Sequence, residues 1–230
     1  MQHFIDHFID IVICIDATGS MIPYLEDTKD FAMKFCLDTF TLMEFEEREL
    51  TRLRTKVIAF RNYEYGSAPM VISDFFTLPE QQHELEAFLR GIDAKGGGGN
   101  GANALEAIAY ALRSDDWTTD GDKRRHIILM FTDVPALPLG AHADVSGYPS
   151  DIMPADLAQL GAWWHGHDLP TESTFQPMVG RMVAFAPRVE PWVDLEAWNY
   201  YWPFYQEGID YLDLLECDYD FLMQLIFFGE

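Results

Sequence analysis

The sequence has little that suits a membrane or an export route. No apolar run approaches the roughly 20 residues of a membrane-spanning helix. No Lys or Arg precedes Lys29, so we expect no secretory signal. Cysteine is scarce as well, because three cysteines at unpatterned spacing do not make a disulfide framework: Cys14, Cys36 and Cys217. Free thiols of this kind are typical of a reducing compartment, so we expect a cytoplasmic protein.

Basic residues are also few. The 15 Lys and Arg residues stand against 38 Asp and Glu residues, which gives a formal net charge of −23 at pH 7. A surface this negative repels phosphate backbones and anionic lipid, so we expect no nucleic-acid and no membrane partner. The excess of acidic over basic residues is strongest in the aromatic-rich C-terminal part, at about 187–230. This acidic part has ten Asp and Glu residues and one basic residue, Arg188. This part is either a solvated face or a surface for a basic partner.

The pattern of apolar residues predicts an α/β protein. Short runs rich in β-branched and aromatic residues predict six strands, at 10–15, 55–60, 69–76, 126–133, 180–186 and 198–205. Five helices are predicted, from helical periodicity or from a preceding strand or Gly or Pro break, at 22–49, 80–90, 102–113, 155–164 and 219–228. Alternation of the two predicts a doubly wound, mostly parallel six-stranded sheet with helices on both faces.

One connection is too short for a helix. The turn-length segment 62–68 joins the second and third predicted strands, so we expect that pair to form one antiparallel edge. We find no internal repeat and no low-complexity linker, which favours a single domain over 1–230 with an elaborated loop at about 136–179.

Two predicted strands end in an acid, Asp16 in the first and Asp133 in the fourth. In open α/β sheets ligands bind beyond the carboxyl ends of the strands, where the strand order reverses. If the two strands are neighbours there, Thr18 and Ser20 join the acids in a set of hard oxygen donors that suits Mg²⁺. The alternative is that Asp16 only ends a strand, Gly19 makes a turn and Ser20 caps a helix.

The residues around these acids resemble a known family. "DATGSM" (16–21) resembles the D-x-[ST]-x-S motif of the von Willebrand factor type A domain, and "FTDVPA" (131–136) resembles a later segment of its metal-ion-dependent adhesion site. Five further segments are similar to a bacterial branch of tellurium-resistance-type proteins: "VIAFRNYEYG", "SDFFTLPEQ", "GGGGNGANALEAI", "DKRRHIILMFTD" and "MVAFAPRVEPW".

The resemblance implies a protein-interaction module rather than an enzyme, without catalytic residues. Asp16, Thr18, Ser20 and Asp133 would hold Mg²⁺ or Mn²⁺, and the ion would bind an Asp or Glu of a partner protein. The setting that it implies is bacterial stress or defence signalling with a kinase and phosphatase pair.

The chain departs from this branch at three positions. Asn62 stands where the branch usually has Asp, and Asn100 and Asn103 stand where it has Asp and Glu. An amide oxygen can coordinate a cation, but each exchange removes a negative charge and weakens binding of a divalent ion. The resemblance implies one more ligand, from a second loop that lies in the sequence between "DATGSM" and the third loop, "FTDVPA". Asn100 is our choice for this second-loop ligand, with Asn62 or Asn103 as alternatives. The competing functions are a metal-dependent hydrolase or phosphoryl-handling enzyme, and a metal-free scaffold with a degenerate site.

Three other features have a functional and a structural interpretation. Gly96, Gly98 and Gly101 satisfy G-x-G-x-x-G, but a predicted helix and turn precede them where a dinucleotide site needs a strand. His165 and His167 suggest a zinc site, but no Cys or further spaced His accompanies them, and the alternative is a pair of loop histidines. The dense aromatic residues of 192–211 indicate either packing around the last strand or a partner surface.

Overall fold

A computed structural model describes residues 5–64, 68–97 and 101–206 of the chain. In chain order its strands and helices are β1 (His7–Asp16), α1 (Leu25–Phe45), β2 (Leu50–Phe60), β3 (Met70–Ile72), β4 (Phe76–Leu78), α2 (Gln82–Arg90), α3 (Ala104–Leu112), β5 (Lys123–Phe131), α4 (Leu157–Trp164), β6 (Gly180–Pro187) and β7 (Tyr201–Gln206). The predicted helix at 219–228 and most of the acidic C-terminal part lie outside the described residues.

The described strands form one mixed sheet in the order β3-β2-β1-β5-β6-β7, and β4 pairs with β2 beside β3. The neighbouring pairs from β2 to β7 are all parallel, whereas β3 and β4 run antiparallel to β2. The predicted α/β class and the antiparallel edge are therefore confirmed.

The predicted number of six strands is wrong, because the segment 69–76 does not form one strand. β3 pairs with the end of β2 and β4 with its middle. Between them the Ser73 hydroxyl oxygen accepts from the Val57 backbone N–H at 2.9 Å and donates to the Asp74 carbonyl at 2.7 Å. A side chain thus takes the place of a ladder carbonyl, and the edge divides into two short strands, which makes seven.

Helices cover both faces of the sheet. Along β1, Ile11 and Ile13 pack in one buried cluster with Phe35 of α1, while Val12 and Cys14 pack in another with residues of α3 and α4. Alternating side chains thus enter two cores, which explains why the first strand is apolar at successive positions. Cys14 is a buried free thiol, as predicted, and so is Cys36 of α1, while Cys217 lies outside the described residues.

The first helix is shorter than the predicted range of 22–49. Residues Gly19–Met21 form a 3-10 turn before it, and the Tyr24 side chain at its N-cap makes no capping hydrogen bond. Beyond its end Glu47 takes a φ of 55°, a left-handed conformation that is common after helices. Throughout the described ranges, no helix has both the length and the apolar character needed to cross a membrane.

The aromatic residues of 192–205 pack in or against the two cores. Trp192 is fully buried, and Tyr201 is 6% exposed. Trp198 stacks on Trp164 of α4 with ring centroids 6.1 Å apart, and its ring covers Gly161. This part of the aromatic stretch therefore supports the packing interpretation.

Candidate metal site at the strand switch point

The topology brings the two acid-ended strands together. From β1 the chain crosses through α1 to β2 on one side of β1, whereas β5 pairs with β1 on the other side. The strand order therefore reverses between β1 and β5, and their carboxyl ends form the switch point at which ligands bind in such sheets. Ile15 pairs with Phe131 at the end of this ladder, so Asp16 lies beside the residues that follow β5.

A chain of hydrogen bonds connects the predicted ligands. The Ser20 hydroxyl donates to Asp133 Oδ1 at 2.8 Å, and Ser20 Oγ lies 3.1 Å from Thr18 Oγ1. Asp16 Oδ1 accepts from the Thr18 backbone N–H at 2.8 Å. The structure thus brings together Asp16, Thr18, Ser20 and Asp133, and the Ser20 hydroxyl contacts this cluster instead of capping α1.

Sequence reasoning missed Thr132, which supports the buried acid. Its hydroxyl donates to Asp16 Oδ2 at 2.7 Å, so each Asp16 oxygen has a partner. The signal was available, because Thr132 directly precedes Asp133 at the end of β5. It orients the Asp16 carboxylate from the neighbouring strand.

The electrostatics of the site favour a bound cation. Burial raises the pKa of Asp16 to about 6, although hydrogen bonds from Thr132 and Thr18 act in the opposite direction, and nearby Asp133 adds repulsion. Burial also raises the pKa of Asp133. Within the described ranges neither carboxylate forms an ion pair with Lys, Arg or His. Two close carboxylates with hydroxyl neighbours and no counter-charge fit a hard divalent ion.

The glycine-rich segment before α3 approaches this site through its backbone. The Gly19 N–H donates to the Gly96 carbonyl at 2.9 Å. Gly97 has a φ of +77°, and a Cβ there would lie 3.2 Å from Thr18 Cβ. The glycines therefore permit a close approach to the D-x-T-x-S loop. Helix α2 and a turn precede them, so the dinucleotide fingerprint lacks its strand.

Two of the three amides have oxygen atoms that are already engaged. Asn62 Oδ1 accepts from the Glu64 backbone N–H at 2.8 Å. Asn103 Oδ1 accepts from the Tyr63 backbone N–H at 3.0 Å and contacts His142 Nδ1 at 3.1 Å. Asn100 lies outside the described residues. The identity of the second-loop ligand therefore stays a prediction.

The loop that carries Asn103 is joined to the loop that carries Asp133. The Ala102 N–H donates to the Pro135 carbonyl at 3.1 Å, and the Leu137 N–H donates to the Ala102 carbonyl at 2.8 Å. Just before Ala102, a Cβ on Gly101 would lie 2.8 Å from the Pro135 oxygen and 3.2 Å from the Leu137 side chain. Gly101 thus allows the two loops to meet.

We expect Gly101→Ala to lower the free energy of unfolding by about 1–3 kcal/mol, because the added methyl group overpacks this contact. Urea denaturation measures the change. The control is Gly91→Ala, at a helix end with a φ of −74°, where the nearest atom to the new Cβ lies 3.3 Å away. Equal stabilities of the two variants would contradict the close approach.

The histidine pair gains no support as a zinc site. His165 and His167 are both exposed, and His165 Nδ1 contacts the Gly161 carbonyl at 2.7 Å. In the part of the chain that the structure describes, no three His, Cys, Asp or Glu side chains gather closely enough to hold a metal ion. Any metal at the switch point therefore depends on its hydroxyl oxygens as well as on its two acids.

Solved structures with a similar fold support the topology. A von Willebrand factor type A protein from Catenulispora acidiphila aligns over 96% of this chain and 43% of that chain, with a TM-score of 0.55 and 15% identity. Proximal thread matrix protein 1 from the mussel byssus aligns over 97% of this chain and 48% of that chain, with a TM-score of 0.50 and 14% identity. The chain therefore spans less than half the length of both proteins.

Neither protein-family models nor curated protein sequences match the chain. The strand order and the structural similarity together define a von Willebrand factor type A-like α/β fold.

Proposed function

We propose that the chain is a divalent-metal-dependent protein-interaction module. Asp16, Thr18, Ser20 and Asp133 would hold Mg²⁺ or Mn²⁺, directly or through water, with an amide of the second loop, Asn100 first, as a further ligand. The observation that carries the proposal is the 2.8 Å hydrogen bond from Ser20 to Asp133, because it joins the oxygen donors of two adjacent strand ends. Folds of this type often serve in protein interactions.

The bound ion would supply a Lewis-acidic position for an acidic side chain of the partner. On a chain with a net charge of −23, the ion would offset the repulsion between the bare surface and an acidic partner. Hydrogen bonds within the chain orient the two carboxylates that would bind the ion. Thr132 and Thr18 fix Asp16, and Ser20 fixes Asp133. In the setting that the tellurium-resistance resemblance implies, the partner belongs to a cytoplasmic bacterial stress or defence pathway with a kinase and phosphatase.

We favour a binding role over hydrolysis. The Ser20 hydroxyl is bonded to Asp133 and faces Thr18, and neither group is the histidine that a nucleophilic serine needs. A metal-free scaffold is the second candidate, because the oxygen atoms of Asn62 and Asn103 are engaged within the protein.

A metal titration separates the metal-dependent interaction module from the metal-free scaffold. We expect millimolar Mg²⁺ or Mn²⁺ to stabilise the protein relative to chelator, by about 2.7 kcal/mol at a hundredfold excess over Kd. Asp133→Asn should lose this response, whereas the control Asp30→Asn, on the exposed side of α1, should keep it. An identical melting temperature of the wild type with metal and with chelator would refute the metal site.

Partner capture tests the role of the ion. We expect a protein captured from a lysate in Mg²⁺ to be released by chelator, and to be missing with Asp133→Asn but present with Asp30→Asn. If chelator does not release the captured protein and Asp133→Asn still binds it, the metal-free scaffold is favoured.

A further inference from the structure

A second polar cluster lies beside the candidate metal site. It joins helix α3, the loop after β2 and the start of the long loop at 136–179, and we call it the loop clasp: Tyr63, Asn103, Glu106, His142 and Tyr148. Asn103 and Glu106 have no exposed surface, and Tyr63 is 5% exposed. A buried polar group needs partners, so the contacts of the loop clasp matter for the loops that they join.

Tyr148 attaches the long loop to α3. Its hydroxyl donates to Glu106 Oε1 at 2.9 Å and accepts from the Gly140 N–H at 2.8 Å. Its ring packs edge-on against Tyr63 with centroids 5.0 Å apart. The other oxygen of the buried Glu106 carboxylate, Oε2, has no hydrogen-bond partner within the described residues. Removing the Tyr148 hydroxyl would therefore leave this carboxylate still less satisfied.

Asn103 connects the loop clasp to the metal-site loops. Its Oδ1 accepts from the Tyr63 backbone N–H and lies 3.1 Å from His142 Nδ1. The Asn103 backbone N–H donates to the Arg61 carbonyl at 3.1 Å. Immediately before it, Ala102 pairs with the segment that follows Asp133. The backbone at 101–103 is thus held between the loop after β2 and the loop after β5.

We propose that Tyr148 is a positioning residue for the second loop of the metal site. Its hydroxyl bonds Glu106 of α3, and its ring packs on Tyr63, whose N–H donates to Asn103. Through these contacts it fixes the backbone at 101–103. The effect on metal affinity rests on the proposed function, whereas the effect on the loop backbone does not.

The test compares Tyr148→Phe with Tyr205→Phe. The control removes a hydroxyl that likewise bonds a carboxylate, Glu196 at 2.8 Å, and it lies on β7, which β6 separates from β5. We expect Tyr148→Phe to weaken Mg²⁺ binding about tenfold in isothermal titration calorimetry, the scale of a lost outer-shell contact. Hydrogen exchange without metal should become faster at backbone amides 101–105, and the control should change neither quantity.

A conservative variant distinguishes positioning from general damage. Glu106→Gln keeps an oxygen that accepts from Tyr148, so its Mg²⁺ affinity should stay within about twofold of the wild type. If Tyr148→Phe does not fold, the second variant is His142→Ala, which removes the contact between the long loop and Asn103 and is compared by the same two measurements.

Wild-type values at both measurements in Tyr148→Phe would overturn the inference. If the wild type itself binds no Mg²⁺, the proposed function fails, and the exchange at 101–105 alone decides the role of Tyr148. Faster exchange there supports it, and unchanged exchange rejects it.

Discussion

Asp16→Asn should make the metal-free protein more stable at neutral pH, even though it destroys the proposed metal site. The Asp16 carboxyl is buried, and its pKa in the folded protein is raised from 3.8 to about 6. A raised folded-state pKa gives stability that is complete below the unfolded value and is lost as the pH rises through 6. At neutral pH the charged side chain therefore costs about 3 kcal/mol, at 1.36 kcal/mol for each pKa unit.

Asparagine removes this cost with little change of shape. Its Oδ1 can still accept from the Thr18 N–H, and its amide group can donate to the Thr132 hydroxyl, which rotates to serve as acceptor. In chelator, we expect the stability difference between Asp16→Asn and the wild type to be near zero around pH 4 and to grow to about 3 kcal/mol above pH 7.

Urea denaturation across this pH range measures the difference. The matched control is Asp30→Asn, an exposed carboxylate on α1 whose replacement should have no comparable effect. Saturating Mg²⁺ should reverse the order, because the ion stabilises only the wild type. A variant less stable than the wild type at every pH, in chelator, would show that Asp16 serves the fold rather than a ligand.

Asp10→Ala should be strongly destabilising, although Asp10 lies outside the candidate metal site. Asp10 lies in β1 and is 1% exposed. Arg54 of β2 donates to both of its oxygens, at 2.9 and 2.7 Å. The Thr118 backbone N–H donates to Asp10 Oδ2 at 2.6 Å, and the Thr118 hydroxyl donates to Oδ1 at 3.1 Å. One carboxylate thus joins two strands to the segment before β5.

Removing one partner of a buried ion pair costs about 3–5 kcal/mol, because the remaining charge is left uncompensated. We expect the lower end of this range, since the Arg54 side chain is 18% exposed and keeps a hydrogen bond of 2.7 Å to the Asp116 carbonyl. The measurement is urea denaturation at neutral pH. The response to Mg²⁺ should persist wherever the variant is folded, because Asp10 lies in the first half of β1, whereas the metal site begins at its last residue, Asp16.

A neighbouring ion pair provides the control. Asp120 pairs with Arg52 at 3.2 Å, and its side chain is 71% exposed. Asp120→Ala should therefore change the stability by less than about 1 kcal/mol. If Asp10→Ala is no more destabilising than Asp120→Ala, the network around Asp10 does not stabilise the fold as its geometry indicates.

The sequence by itself determined the fold class and the residues of the first and third site loops. The apolar runs of β1 and β5 are unambiguous because both faces of these strands are buried, and a polar motif after such a strand must lie at the edge of the sheet. The pattern predicts that Asp16, Thr18, Ser20 and Asp133 lie together, as their hydrogen bonds show, whereas their role as metal ligands stays a prediction. The predicted fourth strand, 126–133, includes Asp133, whereas β5 ends at Phe131, so Asp133 lies in the loop that follows.

Only the tertiary structure decided which strands are neighbours and how the loops are bonded. The adjacency of β1 and β5 depends on strand pairing across more than a hundred residues, which no local pattern encodes. The division of the segment 69–76 depends on one hydroxyl of Ser73 that replaces a carbonyl in the ladder. The oxygen atoms of Asn62 and Asn103 are engaged by backbone N–H groups that become neighbours only when the loops fold together. Hydrogen bonds between distant segments, rather than side-chain type, therefore set what each amide can offer to a metal.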